Sequence, residues 1–301
     1  MASDVQTVSN STGIDLVRLA DDNPRRAAAV AERLVDAEEL EPIEVYRALG
    51  LACRPIGEPS QSRRWLERGL VEAERRGDVI ERDELRITYA ATKAMLGDFD
   101  AALALLDTAQ ASNDSAVQQH ARVQRAGMLA RRGRVAEAME IYRDTEPSLR
   151  RRGDDAWLAR LHSNRGVLLA LTGDFAGAET NLREALSLYE AAGAGLSSAE
   201  IRHNLSFVLT HRGELLDALE SYAEAAAAFA SLDIPNVELP LDRCEALMYA
   251  GLTDDALSIA SEALEDVARR GMVEETAEGL LKYARAADAA GSPGASAAAE
   301  R

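Results

Sequence analysis

Apolar side chains recur along this chain at three- and four-residue spacings, interrupted at regular intervals by a glycine. Val167, Leu168 and Leu171 precede Gly173, and Leu182, Ala185, Leu186 and Leu188 follow it. That spacing puts the apolar groups on one face of a helix on each side of the glycine, so it predicts two amphipathic helices joined by a tight turn. The same turn recurs in Leu96-Gly-Asp-Phe-Asp-Ala-Ala-Leu103, Arg132-Gly-Arg-Val-Ala-Glu-Ala-Met139 and Arg212-Gly-Glu-Leu-Leu-Asp-Ala-Leu219. The turn glycines fall at 57, 97, 133, 173, 213, 251 and 291, with intervals of 36 to 40 residues. Such a period predicts an all-α repeat architecture, a right-handed α-solenoid of about seven helix-turn-helix units. Glycine suits the left-handed position just past a helix end, and Asp98, Asp174 or Glu214 after it suits the next helix start.

A steric register supports this division. Seven residues before the glycines stand Gly50, Ala90, Ala126, Gly166, Ser206, Cys244 and Ala284. Five residues after them stand Ser62, Ala102, Ala138, Ala178, Ala218, Ala256 and Ser296, and twelve after them Gly69, Ala109, Thr145, Ala185, Ala225 and Ala263. Small residues at fixed offsets on both helices mark a crossing where larger side chains would push the backbones apart.

Composition agrees. The 301 residues include 57 alanines and only 4% aromatics, a helix-favouring and strand-poor mixture. The 34 basic and 51 acidic side chains leave a net charge of −17, which argues against nucleic-acid binding. Residues 214–301 hold 18 acidic and 6 basic groups, a balance of −12, which is either a solvated, solubilising face or a field that steers a basic partner to that end. No uncharged apolar run approaches the roughly 18 residues of a membrane span, and the polar, acidic stretch from Met1 to Asp22 is unlike a secretory leader. The expectation is a cytoplasmic protein with no membrane, metal or cofactor requirement. Its two cysteines form no Cys-x-x-Cys or Cys/His cluster. Cys244 holds a crossing position and Cys53 lies on the corresponding helix of an earlier unit, as small buried hydrophobes do. No nucleophile elbow, P-loop or dinucleotide fingerprint is present, so no enzyme is expected within these residues.

The turn glycine and small crossing residues resemble the tetratricopeptide repeat over residues 40–290, although the period exceeds that family's usual 34 or so. Residues 13–39 read as a degenerate capping pair turning at Asn23-Pro24, 1–12 as a disordered segment, and 291–301 either as an incomplete helix where a longer chain was cut or as a frayed tail. From His162-Ser-Asn-Arg-Gly-Val-Leu-Leu169 through Ile201-Arg-His-Asn-Leu-Ser-Phe-Val208 to Leu247, the chain is also similar to the repeat region of bacterial CHAT-domain proteins. There such repeats precede a caspase-like cysteine peptidase. The resemblance implies a regulatory or sensor region whose catalytic half is elsewhere; a stand-alone adaptor or the repeat region of a transcriptional regulator is the alternative.

In the tetratricopeptide family the first helix of each pair lines the inner surface. Residues six and three before, and one, four and five after, the small position then face a groove. This places Arg160; Glu200, His203, Phe207, Thr210 and His211; and Glu238, Leu241, Glu245, Met248 and Tyr249 there. Asn164 and Asn204 sit two residues before the small position, where family members that clamp peptide carboxylates carry asparagine; inter-repeat hydrogen bonding is the other reading. His203, Phe207 and His211 form an i, i+4, i+8 stripe beside Met248 and Tyr249. That stripe is either a partly apolar site for a protein or peptide with titratable rims, or Phe207 packs into the next unit and the histidines are solvated.

Overall fold

A computed structural model describes residues 13–36, 43–270 and 273–291 of the chain. Among these there are fifteen helices and no strand. They run α1 (Gly13–Asp22), α2 (Pro24–Asp36), α3 (Ile43–Cys53), α4 (Pro59–Arg76), α5 (Val79–Met95), α6 (Phe99–Gln110), α7 (Ser115–Arg131) and α8 (Val135–Arg152). After these come α9 (Asp155–Leu171), α10 (Phe175–Ala192), α11 (Gly195–Arg212), α12 (Leu215–Ser231), α13 (Glu238–Tyr249), α14 (Thr253–Arg270) and α15 (Val273–Ala289). The fold is an all-α solenoid of tetratricopeptide-like helix pairs. The expectations for residues 1–12 and 292–301 lie outside the described residues.

The turn chemistry accounts for the pairing. All seven turn glycines have positive φ, between 64° and 85°, where a Cβ would be strained. Asp98 Oδ1 accepts from Ala101 N at 3.3 Å and Asp174 Oδ1 from Gly177 N at 2.9 Å, each capping the helix that follows. Glu214 makes no such bond; one methylene longer, it pairs instead with Arg212 at 3.0 Å. Asn23 separates α1 from α2 and accepts from Arg26 N at 3.0 Å. A second series of left-handed residues closes the pairs at their other end. Gly77, Gly153 and Gly193, also at positive φ, end the second helix of a pair, and Asp233 takes that left-handed conformation at φ 53°.

Packing divides the chain into two units, one of residues to Leu168 with Glu184–Ser198, the other of Leu169–Arg183 with residues from Ala199 onward. In the first, Ala90, Ala102, Leu106, Ala109, Val117 and Ala121 knit α5, α6 and α7 together. Ala126, Ala138, Tyr142, Leu149, Leu158 and Leu161 do the same for α7, α8 and α9. In the second, Cys244, Leu247, Ala256, Ala260 and Ala286 join α13, α14 and α15. The small crossing residues are buried as the sterics require: Ala90, Ala102, Ala126, Ala138, Ala178, Ala218 and Ala256 are fully enclosed. A Cβ on Gly69 would lie 2.9 Å from Tyr46 Cβ, so only glycine fits that crossing.

Candidate functional site

The groove offsets hold only in part. Ile87 and Val123, three before the small position, are buried in the clusters that bind one first helix to the next, and Leu241 is likewise buried. Thr210, four after it, is buried as well. The offset of minus three therefore points into the joint between neighbouring units rather than into a groove. His203, on the same offset, is 6% exposed. Its Nε2 faces Asp242 Oδ2 at 3.0 Å, and Lys282 Nζ donates to the other oxygen of Asp242 at 2.9 Å. These groups link α11, α13 and α15. Burial alone would raise the Asp242 carboxyl, but the His203 hydrogen bond and the Lys282 charge hold it below the usual carboxylate range.

The remaining second-unit candidates gather at the ends of first helices. His211 is exposed, with its ring 4.2 Å from that of Phe207 and 5.1 Å from that of Phe175. Its Nδ1 lies 3.0 Å from the Phe207 carbonyl, so Nδ1 carries a proton and donates, leaving Nε2 for an external group. Leu171, just before the turn that leads to Phe175, is 76% exposed. On α13, Tyr249 is 57% exposed and donates to Glu245 Oε1 at 2.9 Å, a bond that pushes its phenol above the ordinary value. Met248 is half-buried against the α13–α15 core. Phe175, Phe207 and His211 thus form one aromatic cluster, its two phenylalanines half-buried and its histidine exposed, while Leu171 and Tyr249 are exposed at the ends of their own helices. Leu171 stands five after the small position Gly166, one of the offsets expected to face the groove, whereas Phe175, two after the turn glycine, stands on none of them.

Arg160 and Asn164 lie in the first unit and are engaged there. The Arg160 guanidinium sits 5.1 Å over the Trp157 ring and reaches Gln124 Oε1 at 3.5 Å. A Cβ on Gly127 would come 3.2 Å from Asn164 Nδ2 and 3.6 Å from the Tyr142 hydroxyl, so the carboxamide fills the α7–α9 joint. Both residues serve packing between repeats.

Neither thiol is activated. Burial pushes Cys53 up to about 12 and Cys244 up to about 11, so both stay protonated at neutral pH. Among the described residues no group of His, Cys, Asp and Glu could hold a metal ion, and no helix is long and apolar enough to cross a membrane.

The fold is that of a tetratricopeptide-like repeat protein. No protein-family model matches the sequence, and no curated protein matches it. Solved structures share the fold. The chain is similar to a signal-transduction ATPase (STAND) protein with a tetratricopeptide repeat sensor from Pyrococcus horikoshii, at 12% identity and a TM-score of 0.66, over 87% of this chain and 43% of that one. It is similar to a thermophilic tetratricopeptide protein of Thermus thermophilus, at 23% identity and a TM-score of 0.52, over 69% of this chain and 100% of that one. It is also similar to a Rap protein complexed with Competence and Sporulation Factor, at 14% identity and a TM-score of 0.59, over 100% and 99% of the two chains. The chain thus spans less than half the length of the archaeal protein.

Proposed function

We propose that this chain is a non-enzymatic scaffold that binds a protein or peptide on the second-unit surface formed by Leu171, Phe175, Phe207, His211 and Tyr249. The observation that carries this is the partly exposed aromatic cluster: the exposed His211 ring packs against the half-buried rings of Phe175 and Phe207, with its Nδ1 fixed on the Phe207 carbonyl. Aromatic groups left in water at one place are what a partner covers. The partner is basic and carries apolar anchors. Residues 214–301 have a balance of −12, and Glu245 stands beside Tyr249 on the same helix. The Rap protein of like fold, solved in complex with Competence and Sporulation Factor, supports ligand binding by this architecture. The test is a selection from a random peptide library on the wild type and on Phe207→Ala/Tyr249→Ala. Enrichment of basic, apolar peptides that the double variant loses while keeping its helical circular dichroism supports the proposal; enrichment unchanged by the double variant overturns the site.

A regulatory role for an attached CHAT peptidase rests on the likeness of residues 160–290 to such repeat regions, and on the similar fold of a repeat sensor that occupies part of a larger signalling protein. The mass of the endogenous product, read with an antibody against this chain, separates it from a stand-alone adaptor: a band far above 32.4 kDa favours an attached domain, and one at 32.4 kDa removes the peptidase role.

A further inference from the structure

His120, on α7, presents both ring nitrogens to carboxylates from two other repeats. Nδ1 is 2.6 Å from Glu84 Oε1 on α5, and Nε2 is 2.6 Å from Asp154 Oδ2 at the start of α9. Its ring stacks on Trp157 of α9, with centroids 4.5 Å apart and planes within 12°. A neutral imidazole has one N–H and one lone pair, so it can donate to only one of these carboxylates and must set its lone pair against the other. Only the imidazolium satisfies both, and it also gains from the Trp157 face.

The surroundings hold each partner in place. Arg47 Nη1 on α3 donates to Glu84 at 3.3 Å, and Arg47 also lies 3.8 Å from Glu81 on α5. Asp154 accepts from Trp157 N at 3.4 Å through its other oxygen, so it caps α9 while binding His120. Asp114 at the start of α7 is held by the amides of Ala116 and Val117 at 2.8 and 3.1 Å. Arg152 at the end of α8 donates to Ser115 Oγ at 2.9 Å, and its charge acts on both Asp114 and Asp154. Burial alone would lower the His120 imidazole; the hydrogen bonds to Asp154 and Glu84, and their charges, carry it above the ordinary histidine value.

We propose that His120 is a proton-operated staple across three consecutive repeats: its imidazolium ties α5 to α7 and α7 to α9, and loss of the proton releases one of the two joints. Repeats contact only their neighbours, so loosening one joint changes the angle between the first-unit repeats on either side of it, and the first unit bends with pH. The staple is independent of the binding surface proposed above.

The test is side-chain nitrogen NMR of the wild type across about pH 5 to 8, together with Trp157 emission in a Trp65→Phe background. The wild type should show His120 protonated on both nitrogens at neutral pH, with Trp157 emission quenched while the proton is held and rising as it leaves. Glu84→Gln and Asp154→Asn, which keep shape and hydrogen-bonding capacity, should each weaken proton binding by about tenfold. His120→Gln should abolish the pH dependence of the emission. A single neutral His120 tautomer at neutral pH, or a titration unmoved by both carboxylate variants, would overturn the staple; the wild-type spectrum decides the first even where a variant folds poorly.

Discussion

Ser62 Oγ donates to the Gly50 carbonyl at 2.7 Å, and the Thr92 hydroxyl in turn lies 2.8 Å from Ser62 Oγ. Gly50 and Ser62 stand seven before and five after Gly57, so this contact is the crossing of α3 and α4 that the small-residue register requires. It continues through Thr92 to α5, and thus joins one pair to the next.

That register sets a stability contrast within one helix. Ala102 is enclosed at the α5–α6 crossing, whereas Ala104, two residues on, is exposed. Ala102→Leu should cost about 1–3 kcal/mol by overpacking, while Ala104→Leu should stay within about 0.5 kcal/mol. Urea unfolding of the two variants measures the contrast, and equal midpoints would show that the crossing lies elsewhere.

The two units should lose stability at opposite ends of the pH scale. Asp242 has a depressed folded value, so its pairing contributes fully above the unfolded value of about 3.9 and fades as pH falls through the folded one. Asp242→Asn removes the carboxylate that faces both His203 and Lys282, which should cost on the order of 1–3 kcal/mol at neutral pH and progressively less in acid. His120 has a raised folded value, so its contribution is fully present below the unfolded value of about 6.5 and is lost as pH rises through the folded one. The melting-temperature gap between wild type and His120→Gln should therefore shrink toward alkaline pH.

The thiols provide a direct check of the core. Cys53 and Cys244 are both free and buried. Neither should react with a thiol reagent in the native protein at neutral pH, and both should react in denaturant. Prompt native labelling of Cys244 would mean that the α13–α14 crossing is open.

At the exposed surface, affinity and stability should separate. Tyr249 is exposed and Phe207 only half-buried, so Tyr249→Ala should change stability by no more than about 0.5 kcal/mol. Combined with Phe207→Ala it should lower affinity for a selected peptide by about tenfold or more, as the loss of aromatic anchors does. Titration calorimetry beside thermal melts reads the two effects apart; a melt that falls in step with affinity would assign Phe207 to the core.

Helix pairing was legible in the sequence because its causes are local. A positive φ at Gly173, a cap from Asp174 and small residues at fixed offsets act within about twenty residues, and their repetition makes the period visible. The second series at Gly77, Gly153 and Gly193 carries the same local signal, a glycine just past a helix end. The partners of His203, His120 and Asn164 were not legible. His203 meets Asp242 thirty-nine positions on, and His120 meets Glu84 and Asp154 from helices on either side. Such distances are set by how one helix pair lies against the next, a rotation that small residues permit but do not specify. Thus the sequence alone determined the helix pairs, their turns and the line along which each pair crosses. Tertiary packing decided which polar groups fell into the joints and which aromatic groups stayed in water, because side chains on one helix face are sorted by the neighbouring repeat that covers them.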